Sequence, residues 1–380
     1  MHYTFAFGLI AAVKRPIMNK SSMSSSFESD EKRLFAISDI HVDDEKNMRW
    51  VKNLAPKEGD CLIVAGDVSD RLERIEATFE LLKKKYSQVM YCPGNHCLWT
   101  TEEKETSIEK FEKIMKLAER IGIITEIKVL KGKNRSCVVA PLQSWHHASF
   151  DSEPPITQWK GIPSARFVMT DYRRCKWPHP LRDDDSSIAA YMDKLNLPTE
   201  NKLKQIWDQV DDHITFSHFL PRIELIPEKR YLFLPTLIQA VGSRYLGETV
   251  KRITPDVHIF GHSHVAWDAT YDGIRYIQAA LGYSSEWVQR PISMSIGSLR
   301  IPESHNHHQE DARQPLLIWD SANGGIVPET YPTRWSDHYR RFPRVPELTH
   351  VLPPYSASIY RPLPGSKVLD VEEHVPPFSS

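Results

Sequence analysis

The chain has no excess charge of either sign. Its 48 Lys and Arg residues stand against 49 Asp and Glu, a net charge of −1 over 380 residues. The basic domain or stripe that accompanies duplex nucleic-acid binding is therefore missing. One local run, Lys83-Lys84-Lys85, reads as a solvated helix end that complements the helix dipole. Cysteine is scarce. The five residues Cys61, Cys92, Cys97, Cys137 and Cys175 are odd in number and contain no C-x-x-C pair. That argues against a secreted disulfide framework and suits reduced thiols in a cytoplasmic or, alternatively, a plastid compartment. Long hydrophobic runs are missing too. Residues 4–13 are apolar, but a bilayer span needs about twenty such residues. Lys14 and Arg15 follow that run, where a signal peptide places its charges before it. The serine-rich tract at 21–26 has a mild transit-peptide character, yet residues 1–31 read best as a disordered N-terminal extension. No internal repeat is visible.

Alternation is what the sequence does have. At this length one α/β domain with extensions is the default expectation. From Arg33 onward, short apolar runs alternate with longer amphipathic ones, the pattern of βαβ units. Strands are expected at 33–38, 61–65, 89–92, 137–141, 213–217, 257–260 and 275–280, and helices at 48–54, 72–85 and 102–120. In the last helix Ile108, Phe111, Met115, Ala118 and Ile121 recur at helical spacing and are expected to face the core. Residues 145–212 interrupt the alternation with Trp, His, Pro and Asp, an acidic run at 183–185 and two expected helices near 186–195 and 201–210. An insertion of this kind is where loop-borne specificity is expected. The boundaries that follow are 1–31 for the extension, 32–290 for the domain with its 145–212 insertion, and 291–380 for a Pro-rich C-terminal extension. The aromatic residues Trp319, Trp335, Tyr339, Phe342, Tyr355 and Tyr360 indicate that this last stretch packs on the domain as a belt.

Five short motifs carry the chemistry: Asp39-Ile40-His41, Gly66-Asp67-Val68-Ser69-Asp70, Gly94-Asn95-His96, Ser217-His218 and Gly261-His262-Ser263-His264. Each has an ordinary structural explanation when taken alone. A His in an apolar run, such as His218, is usually a satisfied core residue; Asp67 fits a helix N-cap; Gly94-Asn95 is a turn signal. Together they set carboxylates, an amide and imidazoles at strand C-termini, where side chains of an α/β sheet converge. Asp39 and His41 can point into one site, and the Asp67 carboxylate can bridge two cations. Asn95 offers a neutral carbonyl oxygen. His218, His262 and His264 supply imidazoles, and the His-x-His spacing lets two neighbours reach two different metals. Mixed nitrogen and oxygen donors suit manganese, iron or zinc and argue against calcium, which takes oxygen.

Over roughly residues 33–283 this ordered set resembles the calcineurin-like metallophosphoesterases. The Gly-Asn-His-Cys-Leu-Trp and Ser-His-Phe-Leu-Pro-Arg runs resemble uncharacterised plant and algal members. The resemblance implies a four-layer α/β/β/α sandwich, two mixed sheets flanked by helices. It implies a metal-dependent hydrolase of phosphoesters with two divalent, or mixed iron–metal, ions. In the family pattern Asp39, His41 and His264 take one metal, Asn95, His218 and His262 take the other, and Asp67 bridges. His96 is then the general acid, protonating the leaving oxygen while a metal-bridging hydroxide attacks phosphorus in line. One position departs from the pattern. The family usually sets Asp or Glu after that histidine, and here Cys97 stands in its place, so another group has to orient His96.

Outside the motifs, Arg222 reads either as a phosphate donor or as a surface ion pair, and Trp145 and His146 are candidates to line the pocket. Asn47 reads as a helix cap and Asp70 as a residue that orients a ligand. The expected partner is a phosphorylated small molecule, with no duplex nucleic acid and no membrane. A non-catalytic scaffold of the same fold predicts a lost ligand or catalytic histidine, and none is missing. A nuclease of the superfamily predicts a basic groove or stacking platform, which the charge balance opposes. The protein-phosphatase branch predicts G-D-x-V-D-R-G and G-N-H-E, which residues 66–71 and 94–97 match only in part.

Overall fold

A computed structural model describes residues 31–100, 102–300 and 312–369; the expected extension at 1–31 falls, Glu31 aside, outside the described residues. The strands are β1 (Arg33–Ile37), β2 (Lys57–Ala65), β3 (Tyr86–Cys92), β4 (Lys128–Lys131) and β5 (Ser136–Pro141). They continue with β6 (Trp159–Lys160), β7 (Asp212–Phe216), β8 (Val257–Phe260), β9 (Trp267–Tyr271) and β10 (Ile274–Gln278). Next come β11 (Leu316–Asp320) and β12 (Gly325–Ile326), then the two-residue strands β13 (Val351–Leu352), β14 (Arg361–Pro362) and β15 (Lys367–Val368). One large sheet has the order β12-β11-β1-β2-β3 and a second β4-β5-β7-β8-β10-β9, while β13-β15 and β14-β6 form two small pairs. Both large sheets are mixed. β1, β2 and β3 run parallel, with β11 antiparallel to β1. β5, β7, β8 and β10 run parallel, with β4 and β9 antiparallel at the two edges. The helices flank this pair of sheets, as expected for the metallophosphoesterase sandwich.

The central strands are continuous apolar runs because both of their faces are covered. Cys61 through Ala65 and Val89 through Cys92 are fully out of water. All five cysteines are free and buried in this framework. Helices close the outside: α1 (Glu45–Asn53), N-capped by Asp44; α2 (Leu72–Lys83); and α3 (Ser107–Ile121). A capping box between Thr106 and Glu109 starts α3 at Ser107, five residues later than the apolar spacing suggested. Its inward face holds most of the expected stripe, with Ala118 buried and Ile108, Phe111 and Ile121 packed against the core. Lys110, Ile114, Leu117 and Ala118 are buried, while Phe111 and Met115 sit at the margin. The Lys110 ammonium donates to the backbone carbonyls of Asp70 and Trp99.

The insertion folds into α4 (Ala165–Val168), α5 (Asp171–Arg174), α6 (Ser187–Lys194) and α7 (Leu197–Ile206). A further helix, α8 (Arg244–Ile253), had no counterpart in the expected elements; it buries Leu246, Thr249, Val250 and Ile253. Beyond β10 come α9 (Ser284–Gln289), α10 (Pro291–Met294) and α11 (Arg334–Arg341). Among the described residues no helix is long and apolar enough to cross a membrane.

The segment after residue 290 does more than pack on the domain. Its β11 pairs with β1, so it completes a core sheet and satisfies an edge of β1 that burial would otherwise leave without partners. Trp319 is fully buried there and its indole donates to Asp212 at 2.7 Å. A second tie links the β9–β10 hairpin to the same segment. Arg275 grips Asp268 through two bonds of 2.8 and 2.6 Å and donates to the carbonyls of Val327 and Glu329. The amide of Tyr331 donates to Asp268 at 2.7 Å. The sheets themselves are joined where β1 and β10 end: Ser38 N donates to Ala279 O and Leu281 N to Ser38 O, both at 2.9 Å.

Arg275→Leu strands the buried Asp268 carboxylate without its cation, and breaking a buried pair from one side costs about 3–5 kcal/mol. The expected result is a lower urea midpoint, with the C-terminal segment becoming protease-sensitive before the rest of the chain.

Candidate metal centre

The loops that leave β1, β2 and β8 carry unusual backbone. Asp39 (φ 53°), His41 (φ 43°), Asp67 (φ 45°), His262 (φ 73°) and His264 (φ 51°) are all left-handed without being glycine. Among the described residues only Thr254 and Asp272 share that property. Each such residue costs about 1–3 kcal/mol, and clusters of them mark sites where geometry serves function. The motif glycines allow the loops to close. A Cβ on Gly66 would lie 2.2 Å from the His218 ring, and one on Gly94 would lie 2.1 Å from an Asp67 oxygen.

This backbone brings together all seven expected ligands. Asp39, His41 and His264 present donor atoms within 4.8 Å of one another, as do Asp67, His218 and His262. His264 Nε2 is 3.2 Å from Asp39 Oδ1 and 3.0 Å from His41 Nε2. In the second group Asn95 Oδ1 lies 2.9 Å from both His218 Nε2 and His262 Nδ1, and His218 Nε2 is 3.3 Å from Asp67 Oδ2.

The outer ring nitrogens show that the inner ones are free to coordinate. His218 Nδ1 meets the carbonyl of Ala65 at 3.1 Å, His262 Nε2 that of Ala240 at 3.0 Å, and His264 Nδ1 the carboxylate of Glu286 at 2.6 Å. Each outer nitrogen therefore carries a proton, and each inner nitrogen is the one whose lone pair a bound metal would take in place of a proton. His41 Nδ1 is buried with no partner. The field favours positive charge. Burial lowers the His218 and His264 values, yet Asp67 lifts the first to about 9 and Glu286 with Asp39 lifts the second to about 10. Lone-pair donors this close together, in a field that attracts cations, fit a pair of divalent metals.

His96 stands at the edge of the group, with its side chain 18% exposed. Its ring stacks on Trp99 at a centroid distance of 3.5 Å, and Nδ1 faces the Tyr283 hydroxyl at 3.3 Å. Its Nε2 lies 4.0 Å from Asp67 Oδ2, and its backbone amide donates to Asp67 Oδ1 at 2.9 Å. Geometry alone also admits His96 as a ligand beside His41 and Asp67. Cys97 points the other way, into the core, where Tyr91 donates to it at 3.2 Å and burial pushes the thiol up. A nucleophilic role for it has no geometric basis.

The surrounding candidates divide. Arg222 is held by Glu224 and by Asp272 at the β9–β10 turn, over the ring of Tyr271. It is an ion pair and makes no hydrogen bond to the ligand group. Trp145 and His146 are buried and line a separate cavity of about 220 Å³ on the insertion side, with Asp171 in its wall. Asn47 is not a cap; its amide donates to the carbonyls of Ile40 and Gly282, both at 2.8 Å, and so clamps the loop that carries His41. Asp70 pairs with Arg174 of the insertion at 2.8 Å and touches no ligand. Three residues that shape the site had no signal in the motifs, Asp171, Tyr283 and Glu286; a fourth, Trp99, closes the Gly-Asn-His-Cys-Leu-Trp run without a role having been assigned to it. At the start of α9 the Tyr283 amide donates to Glu286 at 2.9 Å.

Two mixed sheets with an Asp, Asn and His set at their ends define a calcineurin-like phosphoesterase. The family profile described as Metallophos, calcineurin-like phosphoesterase, matches residues 32–266, and the chain belongs to that family. It is a metal-dependent phosphoester hydrolase. Among individual proteins it is similar to the "[Acyl-carrier-protein] phosphodiesterase PptH" of Mycobacterium tuberculosis, 27% identical over 271 residues that cover 68% of this chain and 81% of that one. The crystal structure of the phosphopantetheinyl hydrolase PptH from the same organism superposes with a TM-score of 0.56 at 26% identity, covering 74% of this chain and 99% of the other.

Gly94→Ala drives a methyl group to 2.1 Å of Asp67 Oδ1 and 2.7 Å of the Asp67 amide. Because the second contact is backbone, the loop has to shift. The expected outcome is a protein with unchanged far-UV dichroism that retains less than half of the wild-type metal content after gel filtration, read by plasma mass spectrometry.

Proposed function

We propose that the chain is a dinuclear phosphodiesterase. Asp39, His41 and His264 hold one divalent cation, Asn95, His218 and His262 hold the other, Asp67 is shared, and His96 donates the proton to the leaving oxygen. The observation that carries this reading is the convergence of these eight side chains at one end of both sheets, with His96 on the open side. Manganese, iron or zinc bound there supplies Lewis-acid neutralisation of the phosphoryl oxygens and acidifies water.

The protein's own part is preorganisation. The amide of His262 donates to Asp39 at 3.0 and 3.1 Å and Ser38 donates to it at 2.5 Å, which fixes that carboxylate before substrate arrives. The His96 amide does the same for Asp67. The Trp99 stack and the Tyr283 hydroxyl hold the His96 ring, so that Nε2 is the atom that gives up its proton to the ester oxygen.

The substrate class follows from the PptH likeness, extended to this chain: an acyl-carrier-protein phosphodiester of the phosphopantetheinyl type. An apolar groove of about 490 Å³ supports an elongated, mostly uncharged arm. Tyr231, Leu232, Phe233, Val265 and Trp335 line it, and it reaches Ser263, between His262 and His264. Holo acyl carrier protein incubated with the enzyme and manganese is expected to lose its prosthetic group, read as a fall in intact mass. An unchanged mass beside turnover of bis(p-nitrophenyl) phosphate would refute the substrate and keep the chemistry.

Activity is expected to vanish in chelator and to return with manganese, iron or zinc. His96→Ala is expected to keep both metals and to lose about 10²–10⁴-fold in kcat on an alkyl phosphodiester, the range for a removed general acid. The loss on a p-nitrophenyl ester should be much smaller, because that leaving group needs little protonation. Equal losses on both esters would remove His96 from the acid role.

A further inference from the structure

We infer that Asp171, carried by the insertion, is a positioning residue for this site and supplies the carboxylate that Cys97 does not. The inference rests on the reading of Asn95 as a metal ligand and His96 as the acid. Asp171 is 2% exposed, at the start of α5. Its Oδ1 accepts two hydrogen bonds, from Asn95 Nδ2 at 2.8 Å and from the Trp99 indole at 2.7 Å. One oxygen thus touches the residues on either side of His96 that govern the site.

The first bond decides which end of an amide faces the metals. Only the oxygen of Asn95 has a lone pair to give; its nitrogen offers hydrogens that repel a cation. With Nδ2 tied to Asp171, Oδ1 is committed to the space between His218 and His262. Without that tie the amide is free to turn over and present the wrong end.

The second bond acts on His96 through Trp99. The indole forms the platform on which the imidazole stacks, and Asp171 fixes the plane of that platform. Arg174, three residues on, lies over the same indole at 5.6 Å and is anchored by Asp70. No carboxylate among the described residues makes a hydrogen bond to the His96 ring; Asp67 stands off at 4.0 Å. Orientation by a fixed aromatic plane replaces orientation by a neighbouring acid.

The other oxygen of Asp171 faces the insertion, where His146 Nε2 lies 3.3 Å from Oδ2. The carboxylate thus divides its two oxygens, Oδ2 toward His146 and Oδ1 toward Asn95 and Trp99.

The test uses the full chain stripped of metal and titrated with manganese, together with kcat for a p-nitrophenyl and an alkyl phosphodiester. Asp171→Leu is expected to weaken one of two manganese sites by about 10–100-fold, the range for loss of a residue that orients a ligand, and to leave the other unchanged. It should also lower kcat more on the alkyl ester than on the p-nitrophenyl ester. Asp171→Asn retains a carbonyl oxygen able to accept both bonds, so it should recover most of the manganese affinity. Trp99→Phe removes the indole N–H together with part of the platform and leaves the Asn95 bond in place; both manganese sites should persist while the alkyl-ester loss remains. Folded Asp171→Leu with two unaltered manganese sites and unaltered leaving-group dependence would overturn the inference. If Asp171→Leu does not fold, an unaltered leaving-group dependence in Trp99→Phe overturns it instead. Wild-type protein that binds fewer than two manganese ions would strike at the dinuclear reading, not at this one.

Discussion

Two carboxylates sealed between the ends of two sheets govern the rest of this molecule. Asp39 is 0% and Asp67 1% exposed, and an isolated buried carboxylate costs several kcal/mol unless positive charge and hydrogen bonds meet it. Every nearby feature answers that demand. Backbone amides of His262 and His96 point at them, and imidazoles surround them with their lone pairs turned inward. The left-handed turns at Asp39, His41, Asp67, His262 and His264 bend the strand ends so that these groups face one another. Strain of that kind persists only where surrounding structure holds it. Here the Ser38 to Ala279 and Leu281 hydrogen bonds, which lock the sheets together beside the ligands, provide the hold.

The insertion at 145–212 and the stretch just after β10 lie outside the motifs but are parts of the site by contact. Asp171 reaches Asn95 across 76 positions, and Glu286 reaches His264 across 22. Both are carboxylates that receive a proton-bearing nitrogen of a proposed ligand and leave its lone-pair atom facing inward. In such sites the residues behind the ligands set affinity and orientation almost as strongly as the ligands do. Glu286 is held in turn by Arg290 and is kept ionised despite burial, because His264 and Arg290 outweigh the loss of water.

The same contacts explain why the C-terminal segment is integral. Its strand β11 pairs with β1, and Asp39 follows two residues after β1 ends. Arg275 and Asp268 then fasten the segment to β10, which ends just before the Ala279 and Leu281 contacts to Ser38. Trp335 and Tyr231 continue the connection to the apolar groove. Fold stability and site geometry are therefore linked through strands that serve both.

The sequence alone was enough for the class of protein, the two-sheet architecture and the group of seven expected ligands with His96 that the fold brings together. Their signal is local: each follows an apolar strand by two to four residues, and strand ends in an α/β sheet place such residues in one crevice. Gly66 and Gly94 added to it, since close approach to His218 and Asp67 leaves no room for a Cβ. What tertiary structure alone decided has no local pattern. Apolar spacing could not anticipate that Lys110 of α3 is buried, because a lysine reads as solvent-facing until its carbonyl partners are known. Arg222 was equally readable as a phosphate donor or an ion pair until Asp272, 50 positions away, was found to hold it. Asp171 sits in a stretch with no motif and Cys97 in the place where an acid was expected. A hydrogen bond is set by distance in space, and a carboxylate distant in sequence meets the Asn95 amide as well as an adjacent one would.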